Sequence, residues 1–441
     1  MFSKQALNKL ILPLFLDQLL LVLVSIVSTM LLSYAGEAAV SGVSLVEMVN
    51  VLLINIMTAI AMGGAVVVAQ FIGSQNIFTA RKSAGQVVLI TFVISIIFML
   101  VILGFNQLIL NLLFGSVDAE VMQAATIYFI LSCLSYPFLA LYNTSAALFR
   151  SMGNSRVPMM ASMLMNGLNI FGFYLAIFIF KSGIMGVAIA TLLSRALASL
   201  VLVSINFNKN NLIYLDFKSI FSFDLSIIKK ILSVAIPNGV ENGITQLGRI
   251  LLASIIALFG TAQITANGIT NSLGMFAISY ATAINFAIIT VVGQCTGAKE
   301  FEQAEYYIRK LLKQAQLMTV IIALSQIALL SWILNLYTIS DEARQITFYL
   351  MILHNIMTML IWPPAFTLSN GLRAAGDARF TMNVSIIAMF AFRITSAYIL
   401  AIGLNLGVYG VYLAMGIDWI YRTFIQLRRL NNGKWKSAAL V

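Results

Sequence analysis

The feature that most constrains the fold is an internal duplication, because one half of the chain repeats the other at a constant spacing. Pro13 and Asp17 recur as Pro237 and Glu241, each 224 positions later (from 13 to 237 and from 17 to 241). The same spacing relates Gly36 to Gly260, Gln70 to Gln294, Gly73 to Gly297, Ala80 to Ala304, and Gly186-Val187 to Gly410-Val411. Duplication of an apolar chain is typical of a secondary transporter built from two packed lobes, so the substrate site is expected between the halves, near the middle of the bilayer.

The composition predicts an all-α integral membrane protein. The chain is 61% hydrophobic and 9% charged, with a mean hydropathy of +0.97. A membrane-crossing helix needs about 20 apolar residues, and only helices and closed barrels satisfy their backbone in lipid. The apolar runs are too long for barrel strands, whose residues alternate between polar and apolar. About twelve spans are predicted, at roughly 10–34, 44–71, 84–105, 123–148, 158–180, 184–205, 227–258, 265–294, 308–332, 346–369, 381–403 and 408–427.

The charge distribution predicts how the chain is oriented. The net charge is +11, but the basic residues gather at the termini and in the even-numbered loops, while the odd-numbered loops hold only Lys181 and Arg344. This bias predicts that both termini lie in the cytoplasm and that the protein sits in the inner cell membrane rather than on nucleic acid. The predicted organisation is an N-terminal lobe at 1–206, a cytoplasmic connector at 207–224, a C-terminal lobe at 225–427 and a cytoplasmic tail at 428–441. We expect the chain to act as a monomer.

The motifs of common enzyme classes are absent from the sequence. There is no phosphate-binding P-loop, no Gly-x-Ser-x-Gly elbow, and only one histidine. The chain is therefore predicted not to be an enzyme and to need no cofactor. Transport is expected to be driven by an ion gradient or by the gradient of the substrate itself.

Acidic residues inside the predicted spans are the first candidates for binding a coupling ion, since a charge in the hydrocarbon zone costs roughly 2.5–3.5 kcal/mol. Asp17 and Glu241 each lie four residues after a proline, which frees a backbone carbonyl beside the carboxylate. The polar residues on the same or the next span as Glu241 are Asn238, Asn242, Thr245, Gln246, Asn267, Asn271 and Asn285. Such oxygens suit Na⁺, and a buried glutamate also suits a proton. The alternative is that each acid simply pairs with a base such as Arg249.

Other polar residues within the spans allow structural as well as functional roles. Arg393 and Asp418 lie at similar depth in neighbouring spans, which predicts a structural ion pair, whereas Arg195 has no evident acidic partner. His354 is either a satisfied core residue or a proton carrier. Glu47 lies near the outer end of its span, where it would attract cations or reach water. The predicted residues of a substrate cavity are Glu47, Asn55, Asn285 and Asn355.

Several motifs together resemble the multidrug and toxic compound extrusion family. The motifs begin at Tyr34 (YAGEAAVSGVS), Gly63 (GGAVVVAQFIG), Phe149 (FRSMGNSRVP), Asn166 (NGLNI), Gly293 (GQCTGAK) and Leu372 (LRAAGD). The resemblance implies two six-helix lobes around a central cavity, and export of cationic, often aromatic drugs in exchange for Na⁺ or H⁺. It also makes Glu241 the counterpart of a glutamate used for Na⁺ coupling.

The chain departs from that family pattern at three places. Ser28 stands where several relatives have an aspartate in the first helix, and Phe173 stands where some have an acid or an amide. The tenth predicted span lacks the family's aspartate, and His354, Asn355 and Thr358 are the nearest substitutes. Two other functions remain open. A flippase for lipid-linked precursors would require a cavity rich in arginine and lysine, and a passive channel or scaffold would not require paired acids.

Overall fold

The structure of the protein is a computed structural model that describes residues 2–115, 117–337 and 339–441. Within these ranges the regular secondary structure is helical, with no strand. The first half contains α1 (Lys4–Ser33), α2 (Glu37–Gly73), α3 (Ile77–Phe114), α4 (Ala119–Leu134), α5 (Tyr136–Ser151), α6 (Arg156–Tyr174) with a π-helical end at Leu175–Ile179, and α7 (Gly183–Asn206). The second half contains α8 (Phe217–Phe221), α9 (Leu225–Ala257), α10 (Thr261–Gly297), α11 (Phe301–Asn335), α12 (Asp341–Ala374) and α13 (Ala378–Ile387). After α13 the chain continues as a π-helical segment (Ala388–Ile394), the short α14 (Thr395–Ala397) and a second π-helical segment (Tyr398–Gly403). The last long helix is α15 (Gly407–Asn431).

The prediction of an all-α membrane protein is confirmed. In the described part of the chain, nine helices are long and apolar enough to cross a membrane, and ten if the bent pair α4 and α5 forms one span. The two other long helices, α9 and α15, carry charged residues such as Glu241 and Asp418, which lower their hydropathy. All twelve predicted spans therefore coincide with a helix or a bent helix pair, although two of those helices fall short of the apolar criterion.

The duplication extends to the backbone. Helices α2 and α10 begin and end at positions that are 224 residues apart, Glu37–Gly73 and Thr261–Gly297. The glycine before each of them has a positive φ, 104° at Gly36 and 94° at Gly260. Glycine adopts this left-handed region without the steric penalty of a Cβ, so the same turn is built twice from the same residue type.

The chain divides into two compact units, which we call lobe one (Lys4–Gly239) and lobe two (Val240–Val441 with Phe2 and Ser3). The boundary falls inside α9, shortly after Pro237. The predicted connector, 207–224, belongs to lobe one, where α8 packs against α3. Gln86 of α3 donates to the carbonyl oxygens of Ser219 and Ser222, and Lys82 forms an ion pair of 2.7 Å with Asp224.

The two lobes differ most in the segment that follows the third long helix. In lobe one this segment is split into α4 and α5 with a bend of 47° at Ser135, whereas α12 is continuous in lobe two. Pro137 lies in the first turn of α5. Proline has no backbone N–H and clashes with the preceding turn, so it favours a new helix start at this position.

Candidate functional site

The predicted coupling residue Glu241 lies in a buried, fully bonded position of lobe two. Its side chain is 9% exposed. One carboxylate oxygen, Oε2, accepts from Nη2 of Arg373 at 2.6 Å, and the other, Oε1, accepts from the Ser385 hydroxyl at 2.8 Å. Each oxygen therefore already has one charge-assisted partner, so an incoming cation competes with Arg373 and Ser385 for the carboxylate.

Ser385 joins this pair to a second group of charges. Nη1 of Arg422 donates to the Ser385 hydroxyl at 2.5 Å, and Nε of Arg422 donates to Asp418 at 2.7 Å. Asp418 is fully buried and also lies 3.6 Å from Nη1 of Arg393. The predicted ion pair between Arg393 and Asp418 is thereby confirmed. Arg422 is a second base on the same carboxylate.

Lobe one contains a counterpart of the Glu241 pair. Asp17 is 4% exposed, and its Oδ2 lies 3.7 Å from Nη2 of Arg150. Both arginines end their helix, Arg150 in the last turn of α5 and Arg373 in the last turn of α12. The alternative considered from the sequence, that the acids pair with bases, therefore describes the geometry of both acids. Their partner is an arginine of the repeat rather than Arg249.

The other polar residues predicted around Glu241 lie elsewhere. Asn238 is buried on the lobe-one part of α9, where its amide donates to the carbonyl oxygen of Ala59 at 3.5 Å. Asn267 accepts from the Tyr412 hydroxyl at 3.1 Å and from Asn271 at 3.2 Å. Asn242 and Gln246 are half-buried on α9 and, in the described structure, form no bond to the Glu241 carboxylate.

His354 occupies an aromatic environment in lobe two. Its ring packs edge-on against Tyr412 and Trp419, with ring centroids 5.8 Å and 6.5 Å apart. Nε2 lies 3.5 Å from the hydroxyl of Thr358, which is a long contact. The neighbouring Asn355 is fully buried, and among the described residues its amide atoms have no hydrogen-bond partner.

A cavity of about 280 Å³ lies within lobe one, among α1, α2, α4, α6 and α7. Glu47, which was predicted to line a substrate cavity, belongs to its wall, and so do Tyr128, Phe173 and Arg195. Polar side chains form much of the remaining wall: Ser25, Ser28, Thr29, Asn166, Asn169, Thr191 and Ser194. The other predicted cavity residues, Asn55 and Asn285, are half-buried on α2 and α10.

The Glu47 carboxylate is held by a chain of hydrogen bonds on one side. Its Oε1 accepts from the Tyr128 hydroxyl and from the Asn50 amide, both at 2.9 Å. Asn50 in turn accepts from the hydroxyls of Tyr136 at 2.5 Å and Ser132 at 3.3 Å. A polar network of this kind fixes the direction of the carboxylate, because each member is oriented by the next.

Arg195 enters the same cavity from α7. Its Nη1 donates to the hydroxyl of Ser135 at 2.8 Å, and Ser135 is the residue at the bend between α4 and α5. In the described part of the chain neither Arg195 nor Glu47 takes part in an ion pair. The cavity therefore carries one acidic and one basic side chain that are not neutralised by each other.

Sequence reasoning missed the arginine partners of the two buried acids, because Arg150 and Arg373 were assigned to loops. The signal was present in the duplication. The segment from Arg150 to Arg156 recurs from Arg373 to Arg379 at a spacing of 223 positions, close to the spacing that relates Asp17 to Glu241. An acid and a base that are repeated together at nearly one spacing indicate a contact within each repeat.

Comparisons with known proteins agree with this architecture. The MatE family model matches residues 13–175 and 237–399, two segments whose starts are again 224 positions apart. The chain is similar to an uncharacterized transporter, YisQ, of Bacillus subtilis, with 26% identity over 96% of this chain and 93% of the relative. It is also similar to a probable multidrug resistance protein, NorM, of Thermotoga maritima, with 25% identity over 99% and 94% of the two chains.

Among solved structures, an outward-facing multidrug resistance MATE family transporter of the MOP superfamily has a similar fold. Its TM-score is 0.90 at 19% identity, and the match covers 97% of this chain and 96% of that one. The family model covers most of the chain in two equivalent segments, as the duplicated backbone requires. The chain belongs to the MatE family of multi-pass membrane transporters.

Proposed function

We propose that the protein exports organic, often cationic and aromatic compounds from the cytoplasm in exchange for Na⁺ or H⁺. It acts as a monomer in the cell membrane with both termini in the cytoplasm, and it alternates between inward and outward access. The single observation that carries this proposal is the cavity of lobe one, whose wall includes the Glu47 carboxylate and the aromatic residues Tyr128 and Phe173. Two relatives are named probable multidrug resistance proteins, which supports drug-like substrates for this chain as well.

The chemistry of the cavity suits an aromatic cation. A carboxylate attracts a positive charge, aromatic faces bind organic cations, and the low dielectric of the surroundings strengthens both effects. The volume of about 280 Å³ is near the lower end of the range for small-molecule sites. Since Tyr128 and Asn50 hold Oε1 of Glu47, the second oxygen of this carboxylate is the one available to a ligand.

For the coupling ion, we propose that Glu241 is the binding carboxylate in lobe two. A proton on Glu241 would remove the charge that holds Arg373, and Na⁺ would compete with the guanidinium for the carboxylate. Either event weakens the 2.6 Å ion pair, so we propose that ion binding is linked to movement of the α12 end that carries Arg373. Asn242 and Gln246 on the same helix are the amide oxygens available to an incoming Na⁺. Asp17 has the equivalent role in lobe one, with Arg150 as its partner.

The test uses purified protein in liposomes loaded with ethidium, with Na⁺ and pH gradients imposed separately. We expect ethidium movement under at least one gradient, and the effective gradient identifies the coupling ion. Glu47→Gln should lower ethidium transport roughly tenfold or more, because a charged contact contributes about 1.5–3 kcal/mol. Glu241→Gln should abolish the dependence on the ion gradient. Arg156→Gln, an exposed change in lobe one, is the matched control.

Ethidium movement by Glu47→Gln at the wild-type rate would contradict the role of the cavity. Failure of the wild-type protein to move ethidium under either gradient would favour the second candidate, a flippase for lipid-linked precursors. The observation that favours this second function is Arg195 in the cavity wall, since arginine binds phosphate. One arginine on a wall that also carries a glutamate is a poor match for a pyrophosphate group, which is why we prefer the exporter.

A further inference from the structure

We propose that the cavity of lobe one selects zwitterionic substrates, with Arg195 binding a carboxylate of the substrate and Glu47 binding its amine or other cationic group. This inference rests on the proposed export function and specifies the chemical class that the exporter prefers. Arg195 is thereby a specificity-determining residue. The sequence alone offered no partner for it, and the structure places it on the wall of the same cavity as Glu47.

Glu47 and Arg195 are charged side chains on helices that cross the membrane. A charged side chain at membrane depth is expensive, so it is usually paired or functional. The other arginines near acids in this chain follow that rule, since Arg150, Arg373 and Arg422 each approach a buried carboxylate. Arg195 differs from them. In the part of the chain that the structure describes, its one hydrogen bond is to the neutral hydroxyl of Ser135.

Hydrogen bonds fix the direction of both charged groups. Each is held from the protein side through one atom, Arg195 through Nη1 by Ser135 and Glu47 through Oε1 by Tyr128 and Asn50. The remaining guanidinium N–H groups and the second carboxylate oxygen are left for a ligand in the cavity. A guanidinium presents its donors in a planar fork that matches a carboxylate, so a carboxylate on the substrate is the group it recognises best.

The two repeats differ in charge at the positions of Glu47 and Arg195. The positions equivalent to Glu47 and Arg195 in lobe two, 224 residues later, are Asn271 and Trp419, and both are neutral. The pair of opposite charges is therefore a property of lobe one and not of the repeat itself. A purely cationic substrate would use Glu47 and would leave Arg195 unsatisfied and repelling it. A substrate with both charges satisfies both residues.

The experiment uses two fluorescent compounds that differ in one group: tetramethylrhodamine with a free carboxylate, which is a zwitterion, and its methyl ester, which is a cation. Binding to purified protein in nanodiscs is measured by fluorescence anisotropy, and transport is measured in liposomes. We expect wild-type protein to bind the free acid about tenfold more tightly than the ester, as one charge-assisted contact implies. Arg195→Gln should remove this preference and tighten ester binding, because the charge that repels the cation is gone. Arg195→Lys should retain part of the preference, because it keeps the charge without the fork.

Two further variants separate specificity from structure. Ser135→Ala removes the bond that orients Arg195, and it should weaken binding of the free acid more than binding of the ester. Arg156→Gln should change neither. If Arg195→Gln weakened both compounds equally, Arg195 would be a structural residue of the bend and the inference would be wrong. If wild-type protein bound and moved only the ester, the inference would fail while the export function stood. If it moved neither compound nor ethidium, the export function itself would fail.

Discussion

The two lobes share one backbone plan but arrange their intramembrane charges in opposite ways. In lobe two, two acids and three arginines form one buried network, which runs from Glu241 and Arg373 through Ser385 to Arg422, Asp418 and Arg393. In lobe one, among the described residues, Asp17 and Arg150 form a buried pair of this kind, at the longer distance of 3.7 Å. Two further charged side chains of lobe one, Glu47 and Arg195, line a cavity.

The repeat positions explain where this difference comes from. Asp418 and Arg422 of lobe two correspond, 224 residues earlier, to Ser194 and Ala198. Without those two charges the network cannot extend beyond the first acid–arginine pair in lobe one. Ser194 instead lines the cavity. The comparison teaches that the duplication preserved an acid, an arginine and a helix framework, while substitutions at single positions made one interior a closed network and the other an open site.

The largest effect on stability is expected from loss of the Asp418 charge. Asp418→Asn keeps the shape but leaves Arg393 and Arg422 buried without their counter-charge, so we expect the free energy of unfolding to fall by about 3–5 kcal/mol. Thermal unfolding in detergent would measure it. The matched control is Ser194→Ala at the equivalent position of lobe one, for which we expect about 1 kcal/mol or less, since only neutral hydrogen bonds are lost. Equal destabilisation by the two variants would show that the network does not distinguish the lobes.

The second largest effect is expected on stability when the acid of an acid–arginine pair is replaced. Glu241→Gln leaves Arg373 buried without a counter-charge and should cost about 3 kcal/mol, whereas Asp17→Asn should cost less because its pair is longer. The double variant Glu241→Gln with Arg373→Gln removes both charges and should regain most of the lost stability. Thermal unfolding and ion-driven ethidium transport are measured together. If the double variant is stable but its transport no longer responds to the ion gradient, Glu241 carries the coupling. A stable double variant with a normal response would make the pair purely structural.

The sequence predicted the fold well and the site in part, and the reason is physical. Apolar runs and a constant spacing specify helices and lobes, because both are local or repeated patterns. The pair of Arg393 and Asp418 was predictable since a short loop joins their spans. The partners of Glu241 were not, because Arg373 and Ser385 are 132 and 144 residues away in the chain and their contact depends on how several helices pack. Likewise, no local pattern reveals that Arg195 and Glu47 line one cavity.

A smaller effect on stability is expected at a close helix contact whose neighbouring atoms differ between the two repeats. A Cβ added at Gly410 of α15 would lie 2.5 Å from the backbone nitrogen of Ala401, which cannot move easily. A Cβ added at the equivalent Gly186 would meet side-chain atoms of Ser182 and Ala176, and the serine can rotate away. We expect Gly410→Ala to cost about 1–3 kcal/mol and Gly186→Ala less, measured by thermal unfolding. The reverse order would mean that lobe one is the more tightly packed at this position.

The smallest effect concerns the connector, which is attached to the rest of lobe one through the half-buried ion pair of Lys82 and Asp224. The hydrogen bond from Lys82 holds the pKa of Asp224 below its ordinary value of 3.8. Because the pKa of Asp224 is lowered in the folded state, the ion pair stabilises the attachment at pH values above 3.8. This contribution is lost as the pH falls below 3.8 and passes through the pKa of the folded state. The mobility of a nitroxide label at Lys218→Cys should therefore rise only in strongly acidic solution in the wild-type background. With Asp224→Asn we expect a slightly raised mobility at every pH, since the bonds from Gln86 remain. A pH response that survived this substitution would assign the attachment to another group.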